Sequence, residues 1–181
     1  NVSVGEGITN DGNNSVAIGK GITTITLNSI IIGKGGSITN SGTECVVVGT
    51  ESKATNTKAV SIGYKSESAK ESVSIGYCNV NAGAQTVCIG TSNTLAAESD
   101  NAVAIGYNTD AGLESVSIGS GITQNTNYAV AIGKGIEGTG SSNVSVGEGI
   151  TNDGNNSVAI GKGITTITLN SIIIGKGGSI T

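Results

Sequence analysis

Along the chain, apolar and polar positions alternate in one short phrase that keeps returning, with Ser15-Val16-Ala17-Ile18-Gly19 as a representative copy. Its glycine recurs as Gly5, Gly19, Gly33, Gly49, Gly63, Gly76, Gly90, Gly106, Gly119, Gly133, Gly147, Gly161 and Gly175, at steps of 14, 13 or 16 residues. Val or Ile stands both three residues before and directly before each glycine: Val16 and Ile18, Val60 and Ile62, Val73 and Ile75, Val103 and Ile105, Val130 and Ile132 are examples. The position between them is mostly small. A two-residue period over four or five residues predicts a β-strand, and the following glycine supplies the backbone freedom of a corner. Each unit therefore reads as a strand, a turn and a second short segment, stacked into a solenoid of thirteen coils.

The steps from Gly33 to Gly49 and from Gly90 to Gly106 are two residues longer than the common 14. An insertion of two preserves the in/out parity of the next strand, so these coils are expected to carry bulged loops. Residues 143–181 repeat residues 1–39 without a change, which sets a longer period of 142 residues, or ten coils. The expectation is one continuous unit over residues 1–181, a window onto a longer tandem array. The two identical segments should then be related by a translation of roughly 48 Å, at about 4.8 Å per coil.

Neither face of the repeated strand looks made for water. One face carries the Val/Ile columns, the other Ala17, Ile31, Val47, Cys88 and Ala104 with serines between. A roll with one 14-residue turn per coil has a single narrow interior and hides only one face. The other must meet a partner, because a long exposed apolar stripe is an interaction surface or an aggregation hazard. Sequence leaves open which face turns inward. If the Val/Ile face does, Asp at Ile62 or Ile105 is expected to unfold the local coils.

Composition narrows the architecture. Among 181 residues there is no Phe, Trp, Pro, Met or His, and aromatics make up 2%; a bulky globular core is ruled out, whereas a thin stack filled by Val, Ile, Ala and Ser is not. The charged fraction of 12% with 36% hydrophobic residues argues against disorder. A net charge of −4, with scattered lysines as the only cations, gives no basic patch for nucleic acid.

Asn14 to Gly19 and Asn156 to Gly161 read Asn-Ser-Val-Ala-Ile-Gly; Asn101 to Gly106 and Lys58 to Gly63 differ in the first one or two positions. These phrases, thirteen in all, resemble the head repeats of the YadA-like trimeric autotransporter adhesins. The resemblance implies an all-β, left-handed parallel β-roll, assembled as a parallel homotrimer that projects from a bacterial outer membrane into the extracellular space. It further implies an adhesive or structural fibre, with a host-surface, matrix or glycan ligand and no cofactor. Similar repeats occur in viral and phage fibres. The chain departs from the family at the third residue after the glycine, where Ser52 and Ser66 follow the usual pattern but Ile8, Ile22, Ile122 and Ile136 do not. Those coils are expected to bury that corner more deeply.

Candidate chemistry is sparse, and catalysis is not expected. Without His there is neither a histidine base nor a histidine metal ligand, which also counts against a hexapeptide-repeat acyltransferase. Gly133 to Gly138 matches G-x-G-x-x-G, but a dinucleotide site needs a helix after it. Asn10-Asp11-Gly12-Asn13 reads as a tight turn in preference to a Ca²⁺ loop, which wants more carboxylates. Cys45 and Cys88 stand where sister coils place Ala, Ser or Thr, as small buried fillers; Cys78 lies in a turn, and disulfides within or between chains stay open. Tyr64, Tyr77 and Tyr107 each follow a repeat glycine, so they share one corner of the stack. They form either a steadying ladder, which the pattern favours, or a surface contact. An ice-binding solenoid would need aligned Thr-x-Thr in most coils, and Thr24-Ile25-Thr26 recurs only in its copy.

Overall fold

The computed structural model describes residues 1–24, 26–39, 42–166 and 168–180. Every repeat glycine is the fourth residue of a strand, from Val2–Glu6 and Val16–Lys20 at one end to Ile172–Lys176 at the other. Each such strand pairs in parallel with its counterpart one coil away, Val2 opposite Val16 and Gly5 opposite Gly19, then Val16 opposite Ile30 and Gly19 opposite Gly33. A second short strand follows each turn, as in Lys53–Ala54 and Glu67–Ser68, and stacks in the same way. Between Val103 and Asn152 the two merge into nine-residue strands, Val103–Ala111, Val116–Gln124, Val130–Gly138 and Val144–Asn152. The result is an all-β parallel solenoid of twelve turns, with no helix among the described residues.

The 16-residue and 13-residue steps leave the ladder undisturbed. Ile30 faces Val46 and Val87 faces Val103 across the long coils, and Val60 faces Val73 across a short one. The expected parity holds because the extra or missing residues lie in the loop between the second strand and the next first strand.

The interior belongs to the positions between and around the Val/Ile columns. In the coil of Gly106, Ala102, Ala104, Thr109 and Ala111 are all buried, while Val103 and Ile105 on the same strand are only half-buried. The same four positions, counted from the glycine at −4, −2, +3 and +5, are buried in the coil of Gly49 as Cys45, Val47, Ser52 and Ala54. Hydrogen bonding fixes the choice of face. Ser115 Oγ donates to the Thr126 carbonyl at 2.9 Å and accepts the Ala129 amide at 3.0 Å, so it caps a turn and links two coils at once. Ser15 and Ser157 donate to the Thr26 and Thr168 carbonyls in the equivalent places. Once that position points inward to satisfy buried backbone groups, the two-residue period sends −2 inward as well and −3 and −1 outward. Ile62 and Ile105 therefore line the outside of the roll, and a charge there is not buried in the roll interior; that expectation is corrected.

Ile22, Ile122, Ile136, Ile150 and Ile164 at +3 are buried to 1% exposure or less. Ser52 and Ser66 at the same position are equally buried and Ile8 only partly, so the +3 corner points inward whatever its residue, and the expectation of deeper burial in the isoleucine coils is corrected. At +3 of three successive coils, Asn79, Asn93 and Thr109 form a ladder instead. Asn79 Nδ2 donates to the Ile75 and Gly90 carbonyls, Asn93 repeats this with Ile89 and Gly106, and Asn79 Oδ1 accepts the Asn93 amide at 3.1 Å. The repeat glycine is required twice over. Gly63 has φ of 131°, which side-chain-bearing residues avoid, and a Cβ there would lie 1.9 Å from the Gly76 carbonyl oxygen of the next coil.

Candidate self-association face

With the −4, −2, +3 and +5 positions inside, the Val/Ile columns stand on the outer face of the first strands. Val16 and Ile18, Val60 and Ile62, Val73 and Ile75, Val103 and Ile105, Val130 and Ile132 all lie in two adjacent columns whose register is unbroken through the stack. Exposure stays considerable even in mid-stack, at 38% for Ile18, 40% for Ile32 and 40% for Ile132. No polar or charged residue interrupts either column. Thirteen strands at about 4.8 Å give a stripe roughly 58 Å long, far beyond the scattered apolar residues normal on a protein surface. Gly19, Gly63, Gly76, Gly106 and Gly133 end the stripe at its corner and hold the backbones in stacking contact. The site is flat and apolar; it suits packing against a like surface and offers no group for catalysis.

Beyond the glycine corner runs a column of alternating chemistry. Lys20 pairs with Glu6 at 2.9 Å and Lys162 with Glu148 at 2.8 Å, the same pair in the two identical segments. Lys162 holds the Glu148 carboxyl below its usual range. Such exposed pairs contribute little to stability. Tyr64 and Tyr77 occupy the same column, stacked with ring centroids 5.2 Å apart and planes 13° from parallel, and Lys65 Nζ lies 5.3 Å from the Tyr64 ring centre. Tyr107 stands in that column too, but Thr91 separates it from Tyr77. The corner thus gathers all three tyrosines and stacks two.

The remaining motifs resolve into structure. Gly133 to Gly138 runs within the strand Val130–Gly138, with no helix after it. Asp11 to Asn14 forms a turn. Thr24-Ile25-Thr26 and its copy include Ile25 and Ile167, which lie outside the described residues. Cys45 and Cys88 are buried fillers and Cys78 is half-exposed, all three unpaired within the chain. Burial pushes the Cys88 thiol up to about 12. What the sequence reading missed is which face is inside. The signal was present: Ser, Thr, Cys, Asn or Ala recurs at −4, always a small side chain, and ten of the thirteen carry a group able to hydrogen-bond a turn, all but Ala59, Ala102 and Ala129.

A family model for the YadA head domain repeat matches the chain twice, over residues 41–66 and 96–109. The chain resembles these head repeats in sequence and in its parallel solenoid architecture. No curated protein matches it.

Proposed function

We propose that the chain is a segment of an extended surface fibre whose role is extension and attachment, not catalysis, and that three parallel copies pack their Val/Ile stripes against one another. The observation that carries this reading is the uninterrupted outward stripe, paired with an interior already filled from the −4, −2, +3 and +5 positions. The YadA head repeat supports three-fold closure and a place on a cell surface as an adhesin-like segment; packing alone would also permit a dimer. Residues 1–181 form one unit in this reading, and the 142-residue super-repeat extends the stripe without a joint. Tyr64, Tyr77 and Tyr107 remain on the free corner as candidate contacts for a host-surface, matrix or glycan ligand.

Chain direction is tested with spin labels in a cysteine-free background, Cys45→Ala, Cys78→Ser and Cys88→Ala, carrying either Lys20→Cys or Lys162→Cys. These two lysines are copies of each other, 142 residues apart. A parallel assembly gives one interchain distance, the same for both labels. Distances on the order of the length of the rod would show an antiparallel arrangement and overturn the reading.

A further inference from the structure

The loops that join one coil to the next vary in length, and around Asp110 that variation makes a site. After Leu95 the loop takes five residues, 96–100, before the left-handed Asn101; after Ala111 it takes only Gly112 and Leu113 before Glu114; after Gln124 it takes three, 125–127, before Tyr128. A two-residue loop between longer neighbours leaves a notch. A groove of about 260 Å³ opens there, lined by Glu98, Ser99, Asp110, Leu113, Asn125 and Asn127 among others. The other 16-residue step, Gly33 to Gly49, is followed by a 14-residue step instead of a 13-residue one, so the same notch is not built there.

Asp110 stands on the outer face of the second-strand column, between Thr94 and Thr123. Asp110 is separated from the stripe positions of its own strand, Val103 and Ile105, by the positive-φ corner at Gly106 and Asn108. Elsewhere in that column Lys53 and Glu67 neutralise each other at 3.6 Å. Asp110 has no ion pair among the described residues, although it is half-buried. Burial raises its carboxyl above the ordinary range. Ser99 also lines the groove: its amide donates to the Ala96 carbonyl, and its hydroxyl, which no protein group among the described residues engages, is open to the groove.

An unpaired carboxylate, a solvent-open hydroxyl and two asparagines lining the same groove as Leu113, Ala96 and Ala111 match a ligand with several hydroxyls and a C–H face. The volume is just under the roughly 300 Å³ at which sites for drug-sized ligands begin, which suits one ring. A hard cation fits less well: Glu98 is exposed, and no three acidic, Cys or His groups among the described residues are placed to hold a metal. We propose that the groove between the loops of residues 96–100 and 125–127 binds a single neutral sugar ring, with Asp110 accepting hydroxyl donors and Ser99, Asn125 and Asn127 completing the polar contacts.

This inference rests on the attachment part of the proposed function and not on the stripe. Saturation-transfer NMR on the assembled chain, with the methyl glycosides of glucose, galactose, mannose and N-acetylglucosamine as probes, tests it. The expected result is transfer to at least one glycoside, with Asp110→Asn and Leu113→Glu each weakening its titrated affinity by about tenfold or more. Asp110→Asn removes a half-buried charge, so it is expected to fold. No transfer to any glycoside, or binding that neither variant changes, overturns the proposal. So does Ca²⁺ that raises the melting temperature of the parent but not of Asp110→Asn, which would make the groove a cation site. Sedimentation of the same samples reports the assembly separately, so a failed groove and a failed fibre are told apart.

Discussion

The Cγ2 methyl of Ile31 lies 2.7 Å from where a Cβ on Gly36 would stand. These two residues occupy the −2 and +3 interior positions of one coil, and between them they share a fixed volume. In the neighbouring coil the shares are reversed, with Ala17 opposite a buried Ile22, and Ala131 with Ile136 and Ala159 with Ile164 follow that reversed arrangement. In these coils the two positions are filled large with small or small with large, whereas the Gly63 coil holds two small residues, Ser61 and Ser66.

Gly36→Ile alone should overfill its coil and cost about 3 kcal/mol, and Ile31→Ala alone should leave a cavity at a cost of about 2 to 5 kcal/mol. The double substitution recreates the Ala17 and Ile22 coil and should return to within about 1.5 kcal/mol of the parent. Chemical denaturation of the four proteins measures this. Additive losses in the double variant would contradict the shared-volume account.

Gly63→Ala should be far worse than its size suggests, by about 3 kcal/mol, since the backbone has φ of 131° and the new Cβ meets the Gly76 carbonyl. Gly135→Ala is the control. Gly135 has φ of 59° with nothing within 4 Å of a Cβ, and sister coils place Glu51, Lys65 and Asn108 in that left-handed turn position. A cost of only about 1 kcal/mol is expected there. Equal melting losses for the two variants would remove the stacking argument.

Most of this fold is legible in the sequence. The glycine spacing gives the coil, its parity explains why the 16-residue steps keep Ile30 against Val46, and the Val/Ile columns predict a continuous stripe. The facing of the strand was not legible, because both faces are apolar enough to be buried. It is decided by Ser15, Ser115 and Ser157 reaching turn carbonyls eleven residues onward, a contact that needs the coil already closed. The groove at Asp110 was written in the spacing too, as a 16-residue step directly followed by a 13-residue one, but loop projection is a three-dimensional property.

The thiols should separate by position. Burial pushes Cys88 up to about 12 and raises Cys45 as well, so neither presents a thiolate at pH 8, while half-exposed Cys78 can react. Mass spectrometry after iodoacetamide should show one adduct on the native protein and three on the unfolded chain. The native protein keeps the Cys88 proton after the unfolded chain has lost it, so stability should fall as pH rises from about 9 towards 12. Rapid labelling of Cys88 in the native protein would contradict its burial.

Asp110 works in the same sense at lower pH. Its raised carboxyl means that the unfolded chain releases the proton first, so this residue costs stability as pH rises through the carboxylate range. Asp110→Asn should therefore melt higher than the parent at pH 7, with the difference gone near about pH 3. A lower melting temperature for the variant at pH 7 would mean that the carboxylate has a stabilising partner.

The account stands on the outward stripe as a self-association face, and sedimentation equilibrium at micromolar concentration tests that most directly. The parent chain should sediment at three times the chain mass, with a melting temperature that rises with protein concentration. Ile62→Asp combined with Ile105→Asp should lose that mass, because two charges per chain would be desolvated between facing stripes. A parent chain that is monomeric at micromolar concentration, β-rich and stable would contradict the account.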